Sequence, residues 1–371
     1  MSEVDIGLRT MTASGIYAVA VDDDPNPYQL RVGKNGLVYG VILTEPNEDK
    51  SLPNRISASG VIKCFKYIDV AHRGFIAGGG WDGGGGSDYS LQDCDRFNED
   101  SGVWESRTDM PSPARKLGSA FSLGYTIGVV VGGYKDVIPA PLDLAICDRY
   151  NDTLNSWDSR AALDHGTRDV NSFSLNNNNG YVVGGIAAGP FNDCDEYSNN
   201  DDSWSVMTNI TYARYAHACA NIGTNYGFVI AGKASGGEDT KSCFRYDKSN
   251  NTWGTMTDCP EPARKRPSSF TANGKAYITG GFRNGVIDDC DEYDNNLNSW
   301  LSRTAMATSQ QGAAGFGLKG MYGFSNGGYD GVSSASKSVS RYSTYTDSWV
   351  FRSDLPEPAR GGSCGGGFKL E

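Results

Sequence analysis

From residue 71 onward, short apolar runs alternate with polar, turn-forming stretches, and the alternation recurs at a regular interval. Runs such as Gly-Phe-Ile-Ala-Gly-Gly and Gly-Tyr-Val-Val-Gly-Gly read as short buried strands that end at a close backbone approach. The closing glycine pairs are Gly79-Gly80, Gly132-Gly133, Gly184-Gly185, Gly280-Gly281 and Gly327-Gly328, with Ala231-Gly232 as the imperfect copy. Downstream of each pair an aromatic (Phe97, Tyr150, Tyr197, Tyr246, Tyr293, Tyr342) is followed seven residues later by a tryptophan (Trp104, Trp157, Trp204, Trp253, Trp300, Trp349). The residues between them, such as Asn-Asp-Thr-Leu-Asn-Ser before Trp157, favour turns because their side chains bond their own backbone. Each aromatic and its Trp are therefore expected on two strands of one hairpin. The interval between tryptophans drifts (53, 47, 49, 47 and 49 residues) while the offset of seven does not. The variation is thus confined to loops, and one four-stranded unit is used six times.

A period of about 50 residues with four strands per unit is the pattern of a β-propeller. With its glycine pairs, aromatics and spaced tryptophans in six copies, the segment 71–371 resembles the kelch repeat family. The resemblance implies an all-β fold: a six-bladed kelch-type β-propeller preceded by a small N-terminal β module. Each blade exposes two faces that its neighbours must cover, so the twelve aromatics are expected in the core rather than at a ligand. The tail Arg360-Gly-Gly-Ser-Cys-Gly-Gly-Gly-Phe-Lys-Leu begins a further repeat that nothing completes. A strand over 360–370 is expected innermost in the first blade, beside residues 74 to 80, which leaves no sheet edge unpaired.

Residues 1–70 lack the repeat and read as a separate β module or attachment arm. Its β segments, at 15–21, 28–44 and 55–70, are broken by Asp-Asp-Asp-Pro-Asn-Pro and Glu-Pro-Asn-Glu-Asp-Lys. With Gly-Val-Ile-Leu-Thr-Glu-Pro-Asn ahead of the array, this region resembles structural proteins of bacteriophage particles. That resemblance implies a virion component of head or tail, anchored by residues 1–70 while the propeller contacts a host glycan or a neighbouring protein subunit. Self-association, where it occurs, is expected through the same residues.

A chain of 371 residues with 38 % hydrophobic content can bury a sizeable core. No apolar run approaches membrane-spanning length, and the first residues show no basic segment followed by an apolar one. A soluble protein is expected, with no secretory signal and no membrane insertion. The net charge of −11, of which residues 1–70 carry −2, argues against a nucleic-acid partner. Five of the nine cysteines (Cys94, Cys147, Cys194, Cys243, Cys290) share one repeat position, three residues before the aromatic, where the sixth repeat has Val339. Equivalent positions on neighbouring blades lie beyond the roughly 7 Å Cα separation that a disulfide spans. Cys64, Cys219, Cys259 and Cys364 show no zinc-site spacing. Free thiols, no metal and no cofactor are expected.

Candidate chemistry lies in the loops that lead into each blade. Six residues after each Trp stands an apolar residue (Met110, Leu163, Ile210, Cys259, Met306, Leu355), and four or five residues later come Arg115, Arg168, Arg214, Arg264 and Arg360. Repeat five has Gln310-Gln311 instead. These arginines are expected around one mouth of the central channel. The chain crosses the sheet twice before the loop joining strands two and three, so that loop emerges on the same face. It carries Trp81, Tyr134, Ile186, Lys233, Phe282 and Tyr329 after the glycine pairs. Arginine forks carboxylates and aromatic faces stack on sugar rings, so the shared surface suits acidic peptides or anionic glycans.

The competing reading is structural: each arginine caps carbonyls of the adjacent blade, and the charges next to the aromatics (Asp95, Arg96 and their repeats) pair between blades. Kelch-type adaptors, by resemblance, bind protein partners on this face, so an intracellular adaptor is an alternative. Copper oxidases on such propellers need histidine and tyrosine ligands, and here only His72, His165 and His217 exist, without ligand pairing. The turns lack the central glycine of sialidase Asp-boxes. A glycan hydrolase using scattered carboxylates is the remaining enzymatic alternative to a non-catalytic binding or structural protein.

Overall fold

The computed structural model describes residues 28–32, 38–42, 72–82, 88–135, 142–331 and 335–368. The chain divides into two units, Met1–Val70 and Ala71–Glu371. In the first, Tyr28–Val32 pairs antiparallel with Val38–Ile42, within the second of the three β segments expected there. The segments 15–21 and 55–70 lie outside the described residues.

Among the described residues the second unit has six four-stranded antiparallel sheets, with three two-stranded ribbons in its loops. From the axis outward, blade one is Cys364–Gly367, Arg73–Ala77, Cys94–Asn98 and Val103–Ser106. Blade two is Ser119–Leu123, Ile127–Val131, Cys147–Asn151 and Ser156–Arg160. Blades three to six repeat the order, with innermost strands Asn171–Ser174, Ala218–Ile222, Ser268–Ala272 and Ala314–Leu318 and outer strands Ser203–Val206, Thr252–Met256, Ser299–Arg303 and Ser348–Phe351. The six innermost strands lie side by side around the axis, and the circle closes where Ala314–Leu318 meets Cys364–Gly367. The C-terminal strand pairs with Arg73–Ala77, Gly367 opposite Gly74 and Cys364 opposite Ala77. Among the described residues no helix is long and apolar enough to cross a membrane.

The aromatic and the tryptophan of each repeat are directly opposed across the third and fourth strands, with ring centroids 5.0–5.2 Å apart. The aromatic is buried; five of the tryptophans are half-buried, and their indoles face the previous blade. Every indole N–H donates to the carbonyl four residues beyond the preceding repeat's Trp: Trp157 to Thr108, Trp204 to Ala161, Trp253 to Thr208, Trp300 to Thr257 and Trp349 to Thr304. Trp104 completes the circuit on Ser353 at 3.0 Å. Each tyrosine hydroxyl donates to a turn residue with positive φ: Asn155, Asp202, Asn251, Asn298 or Asp347. The same side-chain oxygen accepts the backbone N–H of Thr108, Ala161, Thr208, Thr257 or Thr304 on the blade before. Blade one has Phe97 with Gly102 at that turn, so the hydroxyl and the side chain that would meet it are both missing.

Blades also interlock through size. Phe121, Phe173, Phe270 and Phe316 of innermost strands each fill the space that a Cβ would take at Gly180, Gly227, Gly323 and Gly74 of the next blade, at 2.0–2.3 Å. Blade four has Ala220 at the Phe position, and its neighbour has Ala276 where the others have glycine. Close packing allows large against none or small against small.

The eight described cysteines are buried and unpaired, with burial pushing the Cys259 and Cys364 thiols up to about 12. Cys64 lies outside the described residues. One register differs from the sequence reading: the positive-φ glycines of blade one are Gly78 and Gly79, and Gly80 occupies the place of Tyr134 and Phe282.

Candidate functional site

Four of the five arginines expected at the channel mouth are interior. Arg115, Arg214, Arg264 and Arg360 are at most 1 % exposed. Arg115 donates to Asp148 at 2.6 Å and Arg264 to Asp291 at 2.9 Å, while Arg360 pairs with Asp95, all three aspartates on third strands of the same blade as the arginine. Ser159, Ser302 and Ser106 hold the second oxygens of these carboxylates. Blade four has Phe244 at the aspartate position, and Arg214 lies 4.6 Å from its ring while donating to the Ala231 carbonyl and the Ser242 hydroxyl. Burial without a carboxylate partner lowers Arg214 to about 10. Buried in this way and out of reach of a surface ligand, these guanidiniums tie the lead-in loop to the interior of their own blade.

Arg168 is out of register with the other four. Its place corresponds to Lys116, Tyr215, Lys265, Gln311 and Gly361, whose backbones bridge to the residue after each glycine pair. The true counterpart of Arg115 in blade three is Thr167, and Asp195 there has no arginine. Burial first, then Asp193 and Asp164, raise Asp195 to about 6.

Immediately after this position, Leu117, Asp169, Ala216, Arg266, Gly312 and Gly362 all have positive φ. Their backbones form a closed circuit, in which each N–H donates to the carbonyl of the preceding blade's residue: Asp169 to Leu117, Ala216 to Asp169, Arg266 to Ala216, Gly312 to Arg266, Gly362 to Gly312 and Leu117 to Gly362, at 2.7–2.9 Å. Arg266 also forks Asp169 at 2.9 and 3.0 Å.

Cations and aromatics lie beside this circuit: Arg168, Tyr134 and Phe282 are among the residues expected there, and Lys116 and Lys265 are additions. Arg168, paired with Asp143, lies 5.1 Å from the Tyr134 ring, and the Lys116 ammonium 5.8 Å from the same ring. Lys265 sits 5.0 Å over Phe282. Burial and the neighbouring Lys233 hold the Lys265 ammonium below its usual range. Tyr329 is buried against Gly361 and Gly312. Trp81 lies on the strand Gly80–Asp82, but its side chain lies outside the described residues.

The charges beside the aromatics divide into two kinds. Arg96, Arg149, Arg245 and Arg341 reach the next blade, at Asp152, Asn199, Asn295 and Glu99. Glu196 and Glu292 instead accept the hydroxyls of Tyr181 and Tyr277 within their own blades.

At the opposite end of the axis a cavity of about 770 Å³ opens among the hairpins that join first and second strands. Its walls are the innermost strands and its rim includes Asn177, Thr224, Lys319 and His72.

No family model matches the chain, and no curated protein matches it in sequence. A solved structure titled "Structure of YjhT" aligns with a TM-score of 0.63 at 14 % identity, over 75 % of this chain and 97 % of that one. At that identity the likeness concerns the fold alone, a β-propeller.

Proposed function

We propose that this is a non-catalytic binding protein, a kelch-type propeller whose lead-in loop face takes a carboxylate-bearing ligand. The observation that carries the reading is Lys265, held 5.0 Å over Phe282, its charge disfavoured first by burial and then by Lys233. An anion placed there relieves that repulsion, and the aromatic covers the ligand's apolar part. The full chain, titrated by calorimetry with an acidic peptide and separately with a carboxylated oligosaccharide, distinguishes the two sources. Binding is expected to weaken by about tenfold or more in the Lys233→Glu, Lys265→Glu double variant and to fall with salt. Affinity unchanged by the double reversal would overturn the reading.

A glycan hydrolase is the less favoured alternative, because no aspartate or glutamate stands among the described residues lining the axial cavity. A role in a virion, or as an adaptor, rests on the sequence resemblances and would be tested by isolating the protein with its native assembly.

A further inference from the structure

The axial cavity lies on the other face from the cation and aromatic cluster. Each innermost strand is paired on one side only, so its other edge faces the axis with N–H and C=O groups outside the sheet's own bonding. Neighbouring strands satisfy some of them: the Ser172 hydroxyl donates to the Ala120 carbonyl at 3.1 Å, Ser269 to Cys219 at 2.7 Å and Thr271 to Asn221 at 2.7 Å. Where strands press closest, side chains vanish; a Cβ on Gly315 or Gly317 would lie 2.1 or 2.0 Å from the carbonyl oxygen of Ser269 or Thr271. The walls therefore carry amides and hydroxyls beside apolar groups, Phe121, Phe173, Phe270, Phe316 and Phe368 among the lining residues.

Among the described lining residues the only charge-bearing side chains are His72 and Lys319. Both are at the rim and both face Asp100, at 3.3 and 2.6 Å. The far end is occupied by the six-bond backbone circuit and the Arg266–Asp169 pair, and none of those residues lines the cavity.

We infer that this cavity is a second, independent binding site, for an uncharged polyhydroxylated ligand of the size of a neutral mono- or disaccharide. A charged ligand would lose its hydration without a counter-charge in the lumen, and an apolar one would strand the edge amides. A saccharide satisfies them, and the volume falls within the roughly 300–1,000 Å³ of small-molecule sites. The ligand enters past the hairpin rim.

The test is calorimetric titration of the full chain with neutral hexoses and disaccharides. Ala120→Phe adds bulk at a lining residue that packs against Phe75 and Cys364, without removing a side-chain hydrogen bond, and is expected to weaken binding at least about tenfold; Thr271→Val removes one hydroxyl and is expected to weaken it several-fold. The Lys233→Glu, Lys265→Glu variant should bind the neutral sugar unchanged, which separates this site from the anionic one. The inference is overturned if no neutral saccharide binds more tightly than about 10 mM, or if binding survives in a folded Ala120→Phe chain. Should Ala120→Phe not fold, unaltered affinity in Thr271→Val overturns it equally.

Discussion

Arg266 of blade five forks both carboxylate oxygens of Asp169 of blade three, across the loop of the blade between them. Because both residues also belong to the backbone circuit, side chains and main chain fix the same loops. Replacing Arg266 by Met leaves a carboxylate only 9 % exposed without its counter-charge. The expected cost is about 2–4 kcal/mol, seen as a lower urea midpoint, with part of it recovered by adding Asp169→Asn. An unchanged midpoint would show that the fork contributes nothing.

The buried arginines make a different demand on mutagenesis than surface ones do. Arg115→Ala and Arg264→Ala each strand a buried aspartate, Asp148 or Asp291, and should destabilise by about 3–5 kcal/mol. Thermal unfolding would report it. A variant of normal stability that had lost only ligand affinity would restore the surface reading.

Asp195 supplies a pH dependence. Its folded value of about 6 lies above the roughly 3.9 of an unfolded aspartate, so the folded state holds the proton more tightly. Its contribution is full below about pH 4 and is lost as pH rises through about 6, an effect of roughly 1–2 kcal/mol. Denaturation midpoints across this window should flatten in Asp195→Asn. Thr167→Arg, which recreates the pair present in blades one, two and five, should instead stabilise the protein at neutral pH.

The interlock between Phe121 and Gly180 predicts a strong coupling. Gly180→Ala places a Cβ 2.0 Å from the Phe121 ring and should cost about 1–3 kcal/mol. Combined with Phe121→Ala it copies the natural Ala220 and Ala276 arrangement. The double variant should be more stable than the sum of the single losses, and strict additivity would mean the two sites are independent.

Removing residues 360–371 strips blade one of its innermost strand together with the Arg360–Asp95 pair. Cooperative unfolding should disappear from a calorimetric scan. A sharp transition near the original temperature would show that the circle needs no such strand.

Much of the fold was legible because its signals are local. The aromatic and its tryptophan face each other through a hairpin whose length hardly varies, so seven residues suffice to define it. The Asn or Asp two residues before Trp157, Trp204, Trp253, Trp300 and Trp349 went unread as a distinct position, although its replacement by Gly102 in the repeat with Phe97 is the signal that could have shown its role. The site was harder to read. Spacing locates Arg115, Arg214, Arg264 and Arg360 on a loop but does not say which way a long side chain turns. The signal that could have placed them inside is the aspartate column: Asp95, Asp148 and Asp291 accompany arginine, and blade four changes the aspartate to Phe244. Arg168 misled because the loop after Leu163 is one residue shorter before its Thr167, and Gly78 was hidden by three consecutive glycines. The axial cavity has no sequence signature, since edge amides belong to no residue type.

The Phe368 N–H donates to the Arg73 carbonyl at 2.9 Å, so the last and first strands of the propeller finish one bond apart. With residues 1–70 removed, a short linker would join them, and the chain would be cut instead in an exposed hairpin such as that bearing Leu297. Such a circular permutant would keep every blade where it is, and its termini could then display a fused cargo on the rim of choice.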